Sequence, residues 1–280
     1  MLFKRLIHMA IMAVLAVSCI GIARPEFAPA REQPGKQDQE EDGEFTEIEE
    51  TEIVSIPDPV FKAYMIWRYD GNCDGELSRI EAQSVEAIEL QSDEICSLKG
   101  LERCGSLKKL NVKSTPIERG DEYKGRITSI DLTHNTALSE LRLEFLNIEK
   151  INLSQCTELR EIGIFLCPIK KLNVSTFKHL SMLGAGYCSL ESIDLSESPT
   201  LKEVHLDNNM LKTVIVGELP ELEYIDINGN QLEEVDFSNC RKLNALDCHN
   251  NPALHTIYLK KGQSLGALTK DEHTKIKYID

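Results

Sequence analysis

The chain has 280 residues, 41% of them hydrophobic, which is enough for one continuous core. Its formal net charge of −15 argues against nucleic acid or an anionic lipid surface as partner. Its lysines and arginines are interspersed, and no stretch forms a patch that would track phosphates.

The first predicted element is an export signal over residues 1–19, MLFKRLIHMAIMAVLAVSC. Basic Lys4 and Arg5 precede an apolar run, and small residues precede Cys19. The run is short for a spanning helix, and no second apolar run of spanning length follows. Ala16-Val17-Ser18-Cys19 resembles a lipobox, which implies that Cys19 is lipidated and anchors the mature chain. It lacks the leucine three positions before the cysteine and the glycine or alanine just before it that mark the strongest form. Ordinary cleavage after Gly21-Ile22-Ala23 is the alternative. Either route takes the chain out of the cytoplasm. The expected location is the outer membrane or cell surface, with a periplasmic or secreted form as the other reading.

Residues 20–52 follow as an acidic tether, with ten acidic residues between Glu32 and Glu52 and few apolar ones. Such a segment cannot offset its ordering entropy and is expected to be disordered and extended.

Residues 53–84 are predicted to form a cap around a calcium loop. Residues 70–81, DGNCDGELSRIE, match the EF-hand spacing position by position. Calcium takes six to eight oxygens, and this spacing wraps them round one point. Asp70, Asn72 and Asp74 supply side-chain oxygens, and Glu76 its carbonyl. Ser78 acts directly or through water, and Glu81 is expected to bind through both carboxylate oxygens. Gly75 permits the sharp bend, and Cys73 is a non-ligand at position 4. Asp58-Pro59 reads as a helix cap and first turn before the amphipathic VFKAYMIWRY. After Glu81 there is room only for a short helix. A single hand beside a solenoid points to a structural ion that fixes the cap rather than to a paired sensor.

From 85 to 260 the chain repeats itself. Leucines recur every 21 residues at Leu138, Leu159, Leu180, Leu201, Leu222 and Leu243, with aliphatic residues at offsets 3, 5, 10 and 13. Earlier copies start at Leu107 and, in degenerate form, near Val85, which gives about eight in all. An insertion over about Glu118–Lys124 interrupts the frame. A fixed period of this length signals a solenoid, in which stacked coils bury one another's apolar positions. L-x-x-L-x-L is a period-2 strand, so the coils stack as a parallel sheet. Residues 261–280 read as a C-terminal cap with a turn and a short strand around Ile276 and Tyr278.

The pattern L-x-x-L-x-L-x-x-N/C-x-L, with second halves IDLT, INLS, IDLS and VDFS, resembles the bacterial leucine-rich repeat. Its 21-residue form is similar to repeats of internalin-like and Bacteroidales surface proteins. Residues 56–90 resemble the EF-hand-like cap that precedes such repeats. The resemblance implies a right-handed, β-rich α/β solenoid with its parallel sheet on the concave face. It also implies a non-enzymatic binding module. Offset 8 holds Leu146, Cys167, Cys188, Asn209, Asn230 and Asn251, and asparagine there can satisfy backbone groups of the turn. Nine cysteines in an exported chain suggest disulfides, but the frame puts most of them inward as free, apolar-like thiols. Cys167–Cys188 is the pairing the frame allows, and Cys96 and Cys104 flank one early turn.

Offsets 2, 4, 6 and 7 are expected to face outward. They present Phe145, Phe165, Leu166, Met182, Tyr187 and Tyr224, with Gly163, Gly184 and Gly186 between them and acidic residues and histidines around. Phe145, Leu166 and Tyr187 share offset 7 and are predicted to form a ridge. An apolar patch with a polar rim fits a protein or glycan partner. The alternative is a structural envelope protein without a specific ligand. His205, Asp207, Asp226 and His249 are read as solvated side chains rather than a metal or catalytic centre. The chain has no nucleophile elbow, glycine-rich phosphate loop or zinc-type cysteine cluster. A monomer is expected.

Overall fold

The computed structural model describes residues 52–114 and 125–280. The export signal with Cys19, the tether up to residue 51 and the insertion at 118–124 lie outside them.

The described chain opens with helix α1 (Pro59–Tyr69), the calcium-type loop and helix α2 (Arg79–Gln83). Strands β1 (Ala87–Gln91), β2 (Lys109–Lys113), β3 (Glu140–Glu144), β4 (Glu161–Phe165) and β5 (Met182–Gly184) follow. After them the chain alternates between one long sheet and two short ones. These strands are β6 (Ser192–Asp194), β7 (Glu203–His205), β8 (Thr213–Ile215), β9 (Tyr224–Asp226) and β10 (Glu234–Asp236). Then come β11 (Ala245–Asp247), β12 (Thr256–Lys260), β13 (Ala267–Thr269) and β14 (Lys275–Ile279).

One long parallel sheet runs β1-β2-β3-β4-β5-β7-β9-β11-β13. Its register follows the period: Leu110, Leu141, Ile162, Leu183, Val204, Ile225 and Leu246 lie side by side. The opposite wall holds two short sheets, β6-β8 and β10-β12-β14, where Ile193 meets Val214 and Val235 meets Ile257. Between the walls the repeat positions are buried, from Leu138, Leu159 and Leu180 through Leu222 to Ile257. Each such Leu or Ile contributes roughly 2 kcal/mol by leaving water. This core is one coil thick and continuous, as the fixed interval requires.

The second half of each repeat turns on its polar residue. Asp131, Asn152, Asn173, Asp194 and Asp236 each accept a hydrogen bond from the N–H two residues on, at 2.8–3.1 Å. This side-chain turn explains the recurring Asp/Asn-x-Ser/Thr of the sequence.

Where about eight copies are expected, the long sheet has nine strands. The additional strand is β13, so residues 261–280 form a further coil: Leu246 pairs with Leu268, and Ile257 with Ile276. The sequence obscures this coil because its steps are irregular and its apolar residues few. At the other end, tyrosines cover the sheet edge. Tyr64 Oη donates to Glu89 O at 2.8 Å, and Tyr69 Oη donates to Ala87 O. They take the place of a neighbouring strand and close an edge that would otherwise invite pairing.

Candidate functional site

The outward face of the long sheet is built in rows by the strand register. One row runs Lys109, Glu140, Glu161, Met182, Glu203 and Tyr224. The next runs Arg142, Gly163, Gly184, His205, Asp226 and Asp247. The Phe165 ring lies across the two glycines: a Cβ on Gly184 would sit 2.5 Å from the ring, and one on Gly163 3.3 Å from it. The glycines are therefore a seat for this ring.

Offset 7 has a property the pattern hides. Phe145, Leu166, Tyr187, Asn208 and Asn250 adopt φ of 53–58°, and Gly229 of 66°. Every one of these coils leaves the long sheet through a left-handed residue. Asn and Gly adopt that backbone readily, whereas a bulky side chain costs about 1–2 kcal/mol there. Three neighbouring coils thus carry large apolar residues where their successors carry Asn or Gly. Phe145, expected on the outside, is covered, with its ring 5.8 Å from the Lys113 ammonium. The predicted ridge therefore reduces at the surface to half-buried Leu166 and Tyr187, beside half-buried Phe165 and Met182. Tyr224 is also half-buried and packs on His205, with ring centroids 5.1 Å apart.

The C-terminal half of the face is acidic. Burial raises the Asp226 carboxyl above its ordinary value; hydrogen bonds from Asn228 oppose this, and Asp207 and Asp247 reinforce it. Burial and the same carboxylates push Tyr224 up to about 12. His205 pairs with Glu203 and His249 with Asp247.

Behind the face runs the offset-8 ladder. Asn230 Nδ2 donates to Leu206 O and Ile227 O at 3.0 Å, and its Oδ1 accepts from Leu211 N at 3.0 Å. Asn209 and Asn251 repeat the arrangement. Cys167 and Cys188 offer only thiols to the equivalent carbonyls, Leu143 O and Ile164 O, at 3.8 and 3.4 Å. All eight described cysteines are free. Burial pushes the thiols of Cys104, Cys167, Cys188, Cys240 and Cys248 up to about 12, and that of Cys156 to about 11. Because the thiolate is the reactive form, a thiol reagent at pH 8 is expected to label exposed Cys73 and Cys96 in the folded protein. Cys104, Cys156, Cys167, Cys240 and Cys248 should react only after denaturation, as timed labelling with mass readout would show.

In the calcium-type loop Asp70 accepts from Cys73 N at 2.7 Å and Gly75 N at 2.9 Å. Asn72 and Asp74 each accept from the N–H two residues on. Glu81 crosses the loop to Gly71 N at 2.8 Å and boxes the helix start with Ser78. Its burial alone would raise its pKa, but these hydrogen bonds hold it below the ordinary value. Gly75 takes φ 84° with open space around it. Among the described residues no three acidic, His or Cys side chains converge on one point as a metal cluster; in the loop the carboxylates rest on backbone N–H groups. The donors themselves are all hard oxygens, strung on one loop that Glu81 closes, and in kind and spacing they fit calcium.

No protein-family model and no curated protein matches the chain. Solved structures do. InlP of Listeria monocytogenes matches with a TM-score of 0.51 at 17% identity, over 75% of this chain and 67% of its own. The fold is a leucine-rich-repeat solenoid. The functional domain of InlJ from Listeria monocytogenes, which includes a cysteine ladder, gives a TM-score of 0.45 at 18% identity over 80% of this chain. A leucine-rich-repeat protein of Leptospira interrogans gives 0.45 at 17% over 71%. The chain spans 62% and 64% of the lengths of these two. Among the described residues no helix is long and apolar enough to cross a membrane.

Proposed function

We propose that the protein is an exported, lipid-anchored recognition module that binds a protein partner on the outward face of its long sheet. A calcium ion held by Asp70, Asn72, Asp74, Glu76, Ser78 and Glu81 would fix the cap. The anchor would be Cys19. The observation that carries the recognition reading is the set of left-handed apolar residues. Leu166 and Tyr187 hold a backbone that suits Asn or Gly, are only partly buried, and flank Phe165 on its glycine seat. Strain kept in place at an apolar surface patch supports a binding role for these residues. Calcium, when bound, would neutralise the loop carboxylates and draw the loop oxygens together.

The double variant Leu166→Asn/Tyr187→Asn separates fold from recognition. Relief of the left-handed strain offsets the lost packing, so thermal unfolding should stay within about 1 kcal/mol of the parent. Partner capture should fall at least about tenfold, the usual weight of a central apolar anchor. A partner retained equally by both proteins would place recognition elsewhere. Recovery of no partner from host or bacterial extracts would favour a purely structural envelope role.

A further inference from the structure

An EF-hand loop in isolation leaves its central backbone groups open. Here they are taken. Val54 N donates to Leu77 O at 2.8 Å, and Arg79 N donates to Glu52 O at 2.8 Å. Ile53 and Ser78 form the antiparallel bridge between them. Leu77 and Ser78 are positions 8 and 9 of the calcium-type loop. The same short strand is fastened to the solenoid. Val54 and Ile56 are buried, Ile56 packs where a Cβ on Gly100 would stand 2.7 Å away, and Glu52 pairs with Arg79 and Arg103.

We infer that Glu52–Val54 is the built-in second half of the calcium hand: its backbone pairing pre-organises Leu77–Arg79 for the ion and so couples calcium binding to the junction where the chain enters the cap. The inference rests on the calcium reading above. The physical reason is entropic. Ion binding must order the loop backbone, and whatever already holds part of it lowers that cost. Coupling is reciprocal, so calcium holds the strand in place by the same factor. Val54 and Glu52 lie outside the loop's six calcium donors and act as positioning residues.

Isothermal titration of the full chain with calcium chloride provides the test. The parent is expected to bind one equivalent. Val54→Pro removes the N–H that reaches Leu77 O and is expected to weaken binding at least about fivefold. Ile53→Pro places the same ring at the neighbouring position, whose N–H takes no part in the pairing, and should stay within about twofold. Equal affinities for the two variants would overturn the inference while leaving the calcium site standing. No calcium uptake by the parent, or uptake undiminished in Glu81→Gln, would instead remove the site itself. Hydrogen exchange on the unmodified protein covers the case in which Val54→Pro misfolds. The amides of Val54 and Arg79 should exchange at least about fivefold more slowly with calcium than without, and unchanged rates would overturn the coupling.

Discussion

Asn230→Ala should cost about 3 kcal/mol, mostly through one stranded N–H and the weakened bonding around it. The side chain is 3% exposed and sits where coils meet. Its Nδ2 bonds Leu206 O of the preceding coil and Ile227 O of its own, with Asn228 O at 3.1 Å; its Oδ1 receives Leu211 N. Alanine leaves the buried Leu211 N–H without a partner and opens a small void, while Leu206 O, Ile227 O and Asn228 O each lose one of two bonds and keep those from Asn209 Nδ2, Asn251 Nδ2 and Asn208 N. The orphaned N–H costs about 1–3 kcal/mol, and the bonds lost by the still-partnered carbonyls and the void add about 1 kcal/mol more. Asn230→Cys should recover a part of the loss. Cys167 and Cys188 occupy the same ladder position and reach the equivalent carbonyls by a weak thiol bond. Denaturant unfolding of the three proteins, read by circular dichroism, gives the order parent, Cys, Ala. Equal stability of the Cys and Ala variants would deny the thiol any part in the ladder.

The ladder also shows how much of this molecule can be read from its letters. The 21-residue frame placed the buried residues, the sheet register and the role of Asn209, Asn230 and Asn251, because a solenoid contact is a contact between equivalent positions. Asp58 and Pro59 marked the start of α1 for the same local reason: capping is a matter of a few adjacent residues. What stayed hidden depended on backbone sign or on distant chain. Offset 7 looked like an outward strand position, yet it is a left-handed corner, and at the first of these corners the chain folds Phe145 under cover. The Asn208, Gly229 and Asn250 of later coils were the available clue to that corner. The ninth strand was missed because Ala267–Thr269 carries a single strong apolar residue, Leu268. The clamp of Glu52–Val54 on the calcium-type loop joins segments about two dozen residues apart by backbone atoms, which no side-chain pattern records.

Asp58 is where a local signal and a distant contact meet, and its loss should cost about 3 kcal/mol. One carboxylate oxygen caps α1, accepting from Val60 N and Phe61 N at 3.0 Å. The other accepts from Cys96 N at 2.8 Å and Ser97 N at 3.1 Å, in the turn of the first coil. The cap alone is worth about 1 kcal/mol, and the part-buried clamp adds two further bonds to a charged acceptor, worth about 1 kcal/mol each. Asp58→Ala loses both sets. Asp58→Asn distinguishes them: asparagine caps a helix well, but its amide turns a donor toward the N–H groups of Cys96 and Ser97. It should therefore fall close to Ala rather than to the parent. The pH dependence follows from the same bonds. Burial by itself would raise this carboxyl, yet the N–H groups of Phe61, Cys96, Ser97 and Val60 hold it below the ordinary 3.8. A carboxylate with a lowered folded pKa contributes its full stability above the unfolded value and loses it as pH falls through the folded one. Thermal scans from pH 7 to pH 2.5 should show the parent and Asp58→Asn converging at the acid end. A constant gap between them across that range would mean that the charge of Asp58 does not hold the cap to the solenoid.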